Sequence, residues 1–188
     1  MYEIYHMFVL PQGKAGEAGA DLMEQYGGPM AQEAVKTLGP APTDRVVEIG
    51  FGPGLGLQSL ACVVTEGHIT GVDPASLMHK RAASRNADAI AQGRMSLVRA
   101  TAASLPFADG TFDGALSVDN LHFWPDPLSG LQEVKRVLRI GSTFVCAFTP
   151  PSGGRAEDLR DLFADAKFTD FEVQKTNAGV IIKASASS

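Results

Sequence analysis

The chain has 188 residues, 45% of them hydrophobic and 20% charged, with a formal net charge of −5. That length suits one domain with a sizeable core, and the composition is that of an ordinary globule. Acidic and basic residues are mixed along the chain, which argues against a nucleic-acid surface or a polybasic membrane patch, and no stretch approaches the ~20 apolar residues of a membrane span.

Met1 to Thr43 read as a helical arm lying over a core that begins at Asp44. Met1 to Leu10 lack the basic leader and cleavage site of a signal peptide. Tyr2, Tyr5, His6 and Phe8 form an aromatic cluster suited to packing the arm, lining a pocket or making a homodimer contact. Glu17 to Tyr26 carry apolar residues at helical spacing, Gly27-Gly28-Pro29 break the chain, and Met30, Ala34, Val35 and Leu38 form a second stripe.

From Asp44 onward strand and helix patterns alternate. Strands are expected at Arg45–Ile49, His68–Asp73, Met95–Ala100, Phe112–Val118 and Thr143–Phe148. Helices are expected at Leu55–Val64, Pro74–Ala91, Leu128–Arg139 and Ala156–Ala166, with a loop at Pro150–Gly154. Phe168–Lys175 and Gly179–Ala184 read as a closing hairpin, followed by a frayed tail. Alternation of this kind implies an α/β fold, a doubly wound and mostly parallel sheet with helices on both faces and an antiparallel edge. Residues 1–188 are read as one domain. The cysteines, Cys62 and Cys146, lie in apolar runs and fit no metal-ligand spacing, so both are expected to be buried, unligated and reduced, as in a cytoplasmic protein.

The chemistry concentrates at Glu48-Ile49-Gly50-Phe51-Gly52-Pro53-Gly54. A strand runs into glycines at alternate positions and then a helix, whose free N–H groups face the turn. Asp73 ends the next strand, where two acceptor oxygens would match the vicinal hydroxyls of a ribose. The spacing does not match the Gly-x-Gly-x-x-Gly of dinucleotide folds in either register, which tells against a nucleotide-dependent oxidoreductase.

Glu-x-Gly-x-Gly-x-Gly resembles the cofactor loop of class I S-adenosylmethionine-dependent methyltransferases. Leu105-Pro106-Phe107 with Phe112-Asp113 resembles a segment of the small-molecule group related to ubiquinone and menaquinone biosynthesis enzymes. Ser117 to Pro127, followed by Glu133 to Arg139, is similar to that group's active-site loop and following helix. The resemblance implies a Rossmann-like, seven-stranded sheet and S-adenosyl-L-methionine as cofactor. By that resemblance Gly50, Phe51, Gly52 and Gly54 take the methionine end, and Glu48 offsets its positive charge. Asp73 takes the ribose, and Pro74 with Thr101 and Ala102 the adenine. Asp119 and Asn120 face the methyl donor. Thr101 departs from the family's usual Asp.

Transfer to a small organic acceptor by in-line displacement is the expected reaction, and His122 the candidate general base, with packing of its loop as its structural alternative. Phe123 and Trp124 are candidates to cover the sulfonium or the acceptor. A non-catalytic partner or sensor that binds the cofactor is the alternative function.

Overall fold

The computed structural model describes residues 5–153, 156 and 159–187. Seven strands form one sheet: β1 (Arg45–Ile49), β2 (His68–Val72), β3 (Met95–Val98), β4 (Phe112–Val118), β5 (Leu138–Phe148), β6 (Phe168–Lys175) and β7 (Val180–Ala186). Their order is β3-β2-β1-β4-β5-β7-β6. The pairs from β3 through β5 are parallel, while β7 runs antiparallel to both β5 and β6. The chain winds outward from β1 in one direction and then restarts at β4, so β1 and β4 flank the switch point where open α/β sheets hold their ligands.

Alternate strand residues feed two cores. Val47, Ala115, Phe144 and Ile182 face one side, where they meet Leu131 and Val134 of α6 (Pro127–Val137) and Phe163 of α7 (Arg160–Asp165). Val46, Leu116, Val145 and Ile181 face the other. There they meet α2 (Gly28–Leu38), α3 (Leu55–Ala61), α4 (Ser76–Arg85) and α5 (Ala87–Ala91). Both faces of a parallel sheet are buried, which is why its strands read as continuous apolar runs. Phe144, Phe163 and Phe168 lie with ring centroids 5.5–5.8 Å apart, and burying each contributes roughly 1.5–3 kcal/mol.

Several boundaries differ from expectation for local reasons. The long helix expected over Pro74–Ala91 is two, α4 and α5, because Asn86 leaves helical geometry and turns its side chain to the glycine turn. The helix expected to reach Arg139 ends at Val137, where the amides of Gly110 and Thr111 take the carbonyls of Arg136 and Val137. β5 therefore starts at Leu138, and Ile140 stands 77% exposed before the left-handed Gly141. β3 stops at Val98 with the end of its pairing to β2. The helix expected from Ala156 is observed from Arg160, and residues 157–158 lie outside the described part, as do Gly154 and Tyr2. Cys146 is buried, but Cys62 is exposed at the end of α3, contrary to its apolar surroundings in sequence.

The arm consists of a π-type turn at Tyr5–Val9, then α1 (Gly13–Tyr26) and α2. Gly39, in the left-handed region, closes α2 by donating its N–H to the Val35 carbonyl. Glu17, Asp21 and Glu24 project from one face of α1 onto α4, where Arg81 pairs with all three and Arg85 with Glu24. Among the described residues no helix is long and apolar enough to cross a membrane.

Candidate functional site

β1 ends in a turn that only glycine accommodates. Gly50, Gly52 and Gly54 have φ of +73°, +51° and +87°. The close neighbours are protein atoms. A Cβ at Gly50 would lie 2.0 Å from the Asn120 side chain, and one at Gly54 2.7 Å from that of Asn86. Gly54 is also the residue preceding α3, so the turn delivers that helix with its N-terminus at the end of β1. The Phe51 side chain, expected near the methionine end, turns into the core instead. It fills the space left by Gly71 and meets the His79 ring edge-on at 5.0 Å, so only its backbone belongs to the turn.

Glu48 is 2% exposed and lies under the start of α3. Its carboxylate occupies the space a Cβ on Gly56 would need, 2.1 Å from Oε1, and it accepts the Leu57 N–H. Burial, reinforced by the negative charge of Asp73, raises its pKa well above the usual carboxylate range. Its Oε2 is buried without a hydrogen-bond partner.

Asp73 leaves β2 at the same edge and is 6% exposed. Oδ2 accepts the Gly52 N–H at 3.1 Å and Oδ1 the Ala75 N–H at 2.8 Å, which ties the glycine turn to the start of α4. Burial pushes its pKa up to about 6, against the opposing pull of the Ala75 and Gly52 amides and of His79. His79 Nε2 lies 2.8 Å from the Asp73 backbone carbonyl. A carbonyl can only accept, so that nitrogen carries the proton.

At the end of β4 the expected residues divide. Asp119 adopts φ +50°, in the left-handed region that Asp tolerates. Its carboxylate accepts the Thr149 N–H and hydroxyl, each at 2.7 Å, and so joins β4 to β5. Asn120 lies against Gly50, and its Oδ1 accepts the Trp124 indole N–H at 2.5 Å. Trp124 in turn presses on Gly130 of α6 and is buried in the core. His122 sits between aromatic rings, with centroids 3.9 Å from Phe123 and 5.5 Å from Phe148. Both its ring nitrogens are buried without a hydrogen-bond partner. Burial lowers its pKa despite the opposing charge of Asp119.

Pro74, Thr101 and Ala102 complete the edge. Thr101 is exposed and bridges to Ser104, and Ala102 is buried beneath it. The following Leu105–Phe107 segment is held by α6: Glu133 accepts the Leu105 N–H, and Arg136 donates to the carbonyls of Leu105 and Phe107. Two segments distant in sequence are therefore one structural unit.

Three contributors were not legible in the sequence. Asn86 Nδ2 donates to the carbonyls of Gly54 (3.1 Å) and Ala82 (3.0 Å). Arg85 Nε donates to the Pro53 carbonyl at 3.1 Å. His79 orients the Asp73 backbone. Asn86, a residue that helix interiors disfavour, is the one mark of them in the sequence, and the continuous helix expected over Pro74–Ala91 passes it by. A cleft of about 820 Å³ lies between the start of α1 and the Pro74–Leu77 corner, with Lys14, Lys80 and Arg99 on its walls. Of the expected site residues only Pro74 lines it.

These residues fit an adenosine-bearing cofactor with a cationic tail. A buried carboxylate with spare lone pairs ends β2, a second one with an unpartnered oxygen underlies the turn, and the turn's backbone is uncovered by side chains of its own. The architecture is that of a doubly wound α/β protein with its glycine turn at the switch point. Residues 47–146 match the family model described as methyltransferase domain, and the chain belongs to that family. It is 26% identical over 154 residues to the uncharacterized methyltransferase YdaC of Bacillus subtilis, covering 78% of this chain and 83% of that protein. It is 35% identical over 115 residues to a demethylmenaquinone methyltransferase of Desulfitobacterium hafniense, covering 61% of this chain and 46% of that one. A solved S-adenosyl-L-methionine-dependent methyltransferase structure from Methanococcus maripaludis, a provisional assignment, superposes with a TM-score of 0.79 at 17% identity over 93% of each chain. The fold and the family make this chain a class I methyltransferase and imply S-adenosyl-L-methionine as its cofactor.

Proposed function

We propose that the protein methylates a hydroxyl group of a small aromatic molecule, with His122 as general base. The observation that carries this reading is the His122 ring itself. Both nitrogens are buried without partners, and aromatic rings flank it. An orphaned buried polar group costs about 1–3 kcal/mol, which an acceptor hydroxyl would offset, and the flanking rings suit a flat apolar body. The relative named for demethylmenaquinone supports a flat aromatic acceptor, and relatives named O-methyltransferase support oxygen as the methylated atom.

In this reading the backbone of Gly50, Phe51 and Gly52 receives the methionine end and Asp73 the ribose hydroxyls. Pro74, Thr101 and Ala102 border the adenine. Asn120 borders the methyl-donor side. Glu48 acts from below, by accepting the Leu57 N–H and holding the start of α3, and Asp119 acts by fixing the loop that carries Asn120 and His122. When bound, S-adenosyl-L-methionine would supply an electrophilic methyl carbon; the acceptor oxygen would bond to that carbon in line as its bond to sulfur breaks, with S-adenosylhomocysteine as the leaving group. His122, kept neutral by burial, takes the acceptor proton and returns it to solvent.

The test is formation of S-adenosylhomocysteine with a panel of phenols, catechols and hydroquinones. His122→Asn is expected to lower kcat by about 100-fold, the lower range for a general base, while S-adenosylhomocysteine affinity stays within about twofold. Full activity in that variant would remove the base. Tight cofactor binding with no turnover of any acceptor would favour the sensor or partner-subunit reading, which the internally paired Asp119 also suits.

A further inference from the structure

We infer that Arg85 is a positioning residue that couples docking of the helical arm to the shape of the glycine turn; this rests on the reading of that turn as the cofactor cradle. Arg85 is the last residue of α4, and its guanidinium serves two masters. Nε donates to the Pro53 carbonyl at 3.1 Å, and Nη2 pairs with Glu24 Oε2 of α1 at 3.0 Å. Asn86, the next residue, holds the Gly54 carbonyl at 3.1 Å. Consecutive carbonyls of the turn are thus gripped from one helix end, and one of the two grips is shared with the arm.

The arm reaches the turn from the other side as well. Met23, adjacent to Glu24, places its Sδ 3.6 Å from where a Gly52 Cβ would stand. Gly27, at the corner between α1 and α2, approaches Leu55 at the start of α3. Arg81 anchors the rest of α1 through Glu17 and Asp21, two and one helical turns before Glu24. Arg81 therefore holds the arm on the core, and Arg85 makes the turn feel that it is held. A lysine could satisfy either partner, but its point charge lacks the fork that meets a carboxylate and a carbonyl at once.

Coupling of this kind is reciprocal. If the docked arm favours the cofactor-competent turn by some factor, bound cofactor favours the docked arm by the same factor. The seam is partly exposed, so the coupling weakens as salt rises.

The experiment has two arms, both on the full chain. In the absence of cofactor, amide exchange at Gly52 and Gly54 is followed by NMR in wild type and in Glu24→Gln. Glu24 touches neither residue through any described hydrogen bond, and Glu24→Gln leaves Arg81 paired with Glu17 and Asp21, so the arm stays attached. Faster exchange in the variant is expected. In the second arm S-adenosylhomocysteine is titrated calorimetrically into wild type, Glu24→Gln, Arg85→Lys and the double variant. Each single change is expected to weaken binding about fivefold, at the low end of measured site couplings, and the double variant no further. Unchanged exchange at the turn, or additive losses in the double variant, would overturn the coupling. Exchange that responds to Glu24→Gln in a chain that binds no S-adenosylhomocysteine would sustain the coupling and overturn the cofactor reading instead.

Discussion

Asp73 offers the sharpest test of the cofactor site, because its environment makes binding depend on protons. Burial raises its carboxyl from 3.8 to about 6. The folded chain therefore binds this proton more tightly than the unfolded chain. Stability from this group is fully present below about pH 4 and is lost as pH rises toward 6, by about 3 kcal/mol in total. Ribose hydroxyls donating to the carboxylate would favour the ionised form and pull the pKa back down. Binding should then release a proton wherever the free protein holds one. Between pH 7 and pH 5 the affinity for S-adenosylhomocysteine should fall about tenfold, one pKa unit's worth of coupling at the lower pH. Calorimetry at pH 5.5 in two buffers of different ionisation enthalpy should show release of roughly 0.5–1 proton per site. Asp73→Asn should bind more weakly at pH 7 and lose this pH dependence. Affinity flat from pH 5 to pH 7, with no proton exchange, would show that the Asp73 carboxylate does not hold the ribose.

Two substitutions probe the support beneath the turn. Glu48→Gln keeps the shape of a buried side chain whose ionisation burial opposes. Because burial raises the pKa of Glu48, ionising it costs stability as pH rises, and the variant should flatten that loss; a variant that melted lower at pH 8 than at pH 5 by more than wild type would refute this. Gly56→Ala puts a methyl 2.1 Å from Glu48 Oε1. Urea unfolding should show about 1–3 kcal/mol of lost stability from overpacking, and the Glu48→Gln/Gly56→Ala pair should be non-additive, since both act on one contact.

The sheet was legible because its physics is local. Both faces of the parallel strands are buried, so β1, β2 and β4 stand out as apolar runs, and each ends at a residue, Gly50, Asp73 or Asp119, that cannot continue a strand comfortably. The glycine turn was legible from its spacing, but the reason for the spacing was not. Gly50 and Gly54 are required by Asn120 and Asn86 as well as by their own φ angles, and neither contact has any mark in a linear pattern. Side-chain direction was likewise hidden. Phe51 lies in the turn by sequence and in the core by packing, because Gly71 on the neighbouring strand leaves room for it. Asp119 looked free to face the methyl donor, yet Thr149, thirty residues on, takes both of its oxygens.

The same reasoning explains why the resemblance to known methyltransferases was sharper than any one of its parts. Leu105–Phe107 and Glu133–Arg136 look like separate signatures in the sequence. In the fold, Glu133 and Arg136 saturate the backbone of Leu105 and Phe107, and Arg136 also pairs with Asp109. Loss of Glu133 or Arg136 leaves backbone groups of Leu105 and Phe107 without partners, at a cost of about 1.5–3 kcal/mol for each charged bond. Their joint presence therefore reports a physical contact that shapes the wall beside Ala102. Asn86, Arg85 and His79 form an equivalent unit around the glycine turn, and they too act through carbonyl groups. A carbonyl is present at every residue, so nothing in the turn's own sequence indicates which ones are held, and only the folded chain reveals that the end of α4 grips the glycine turn.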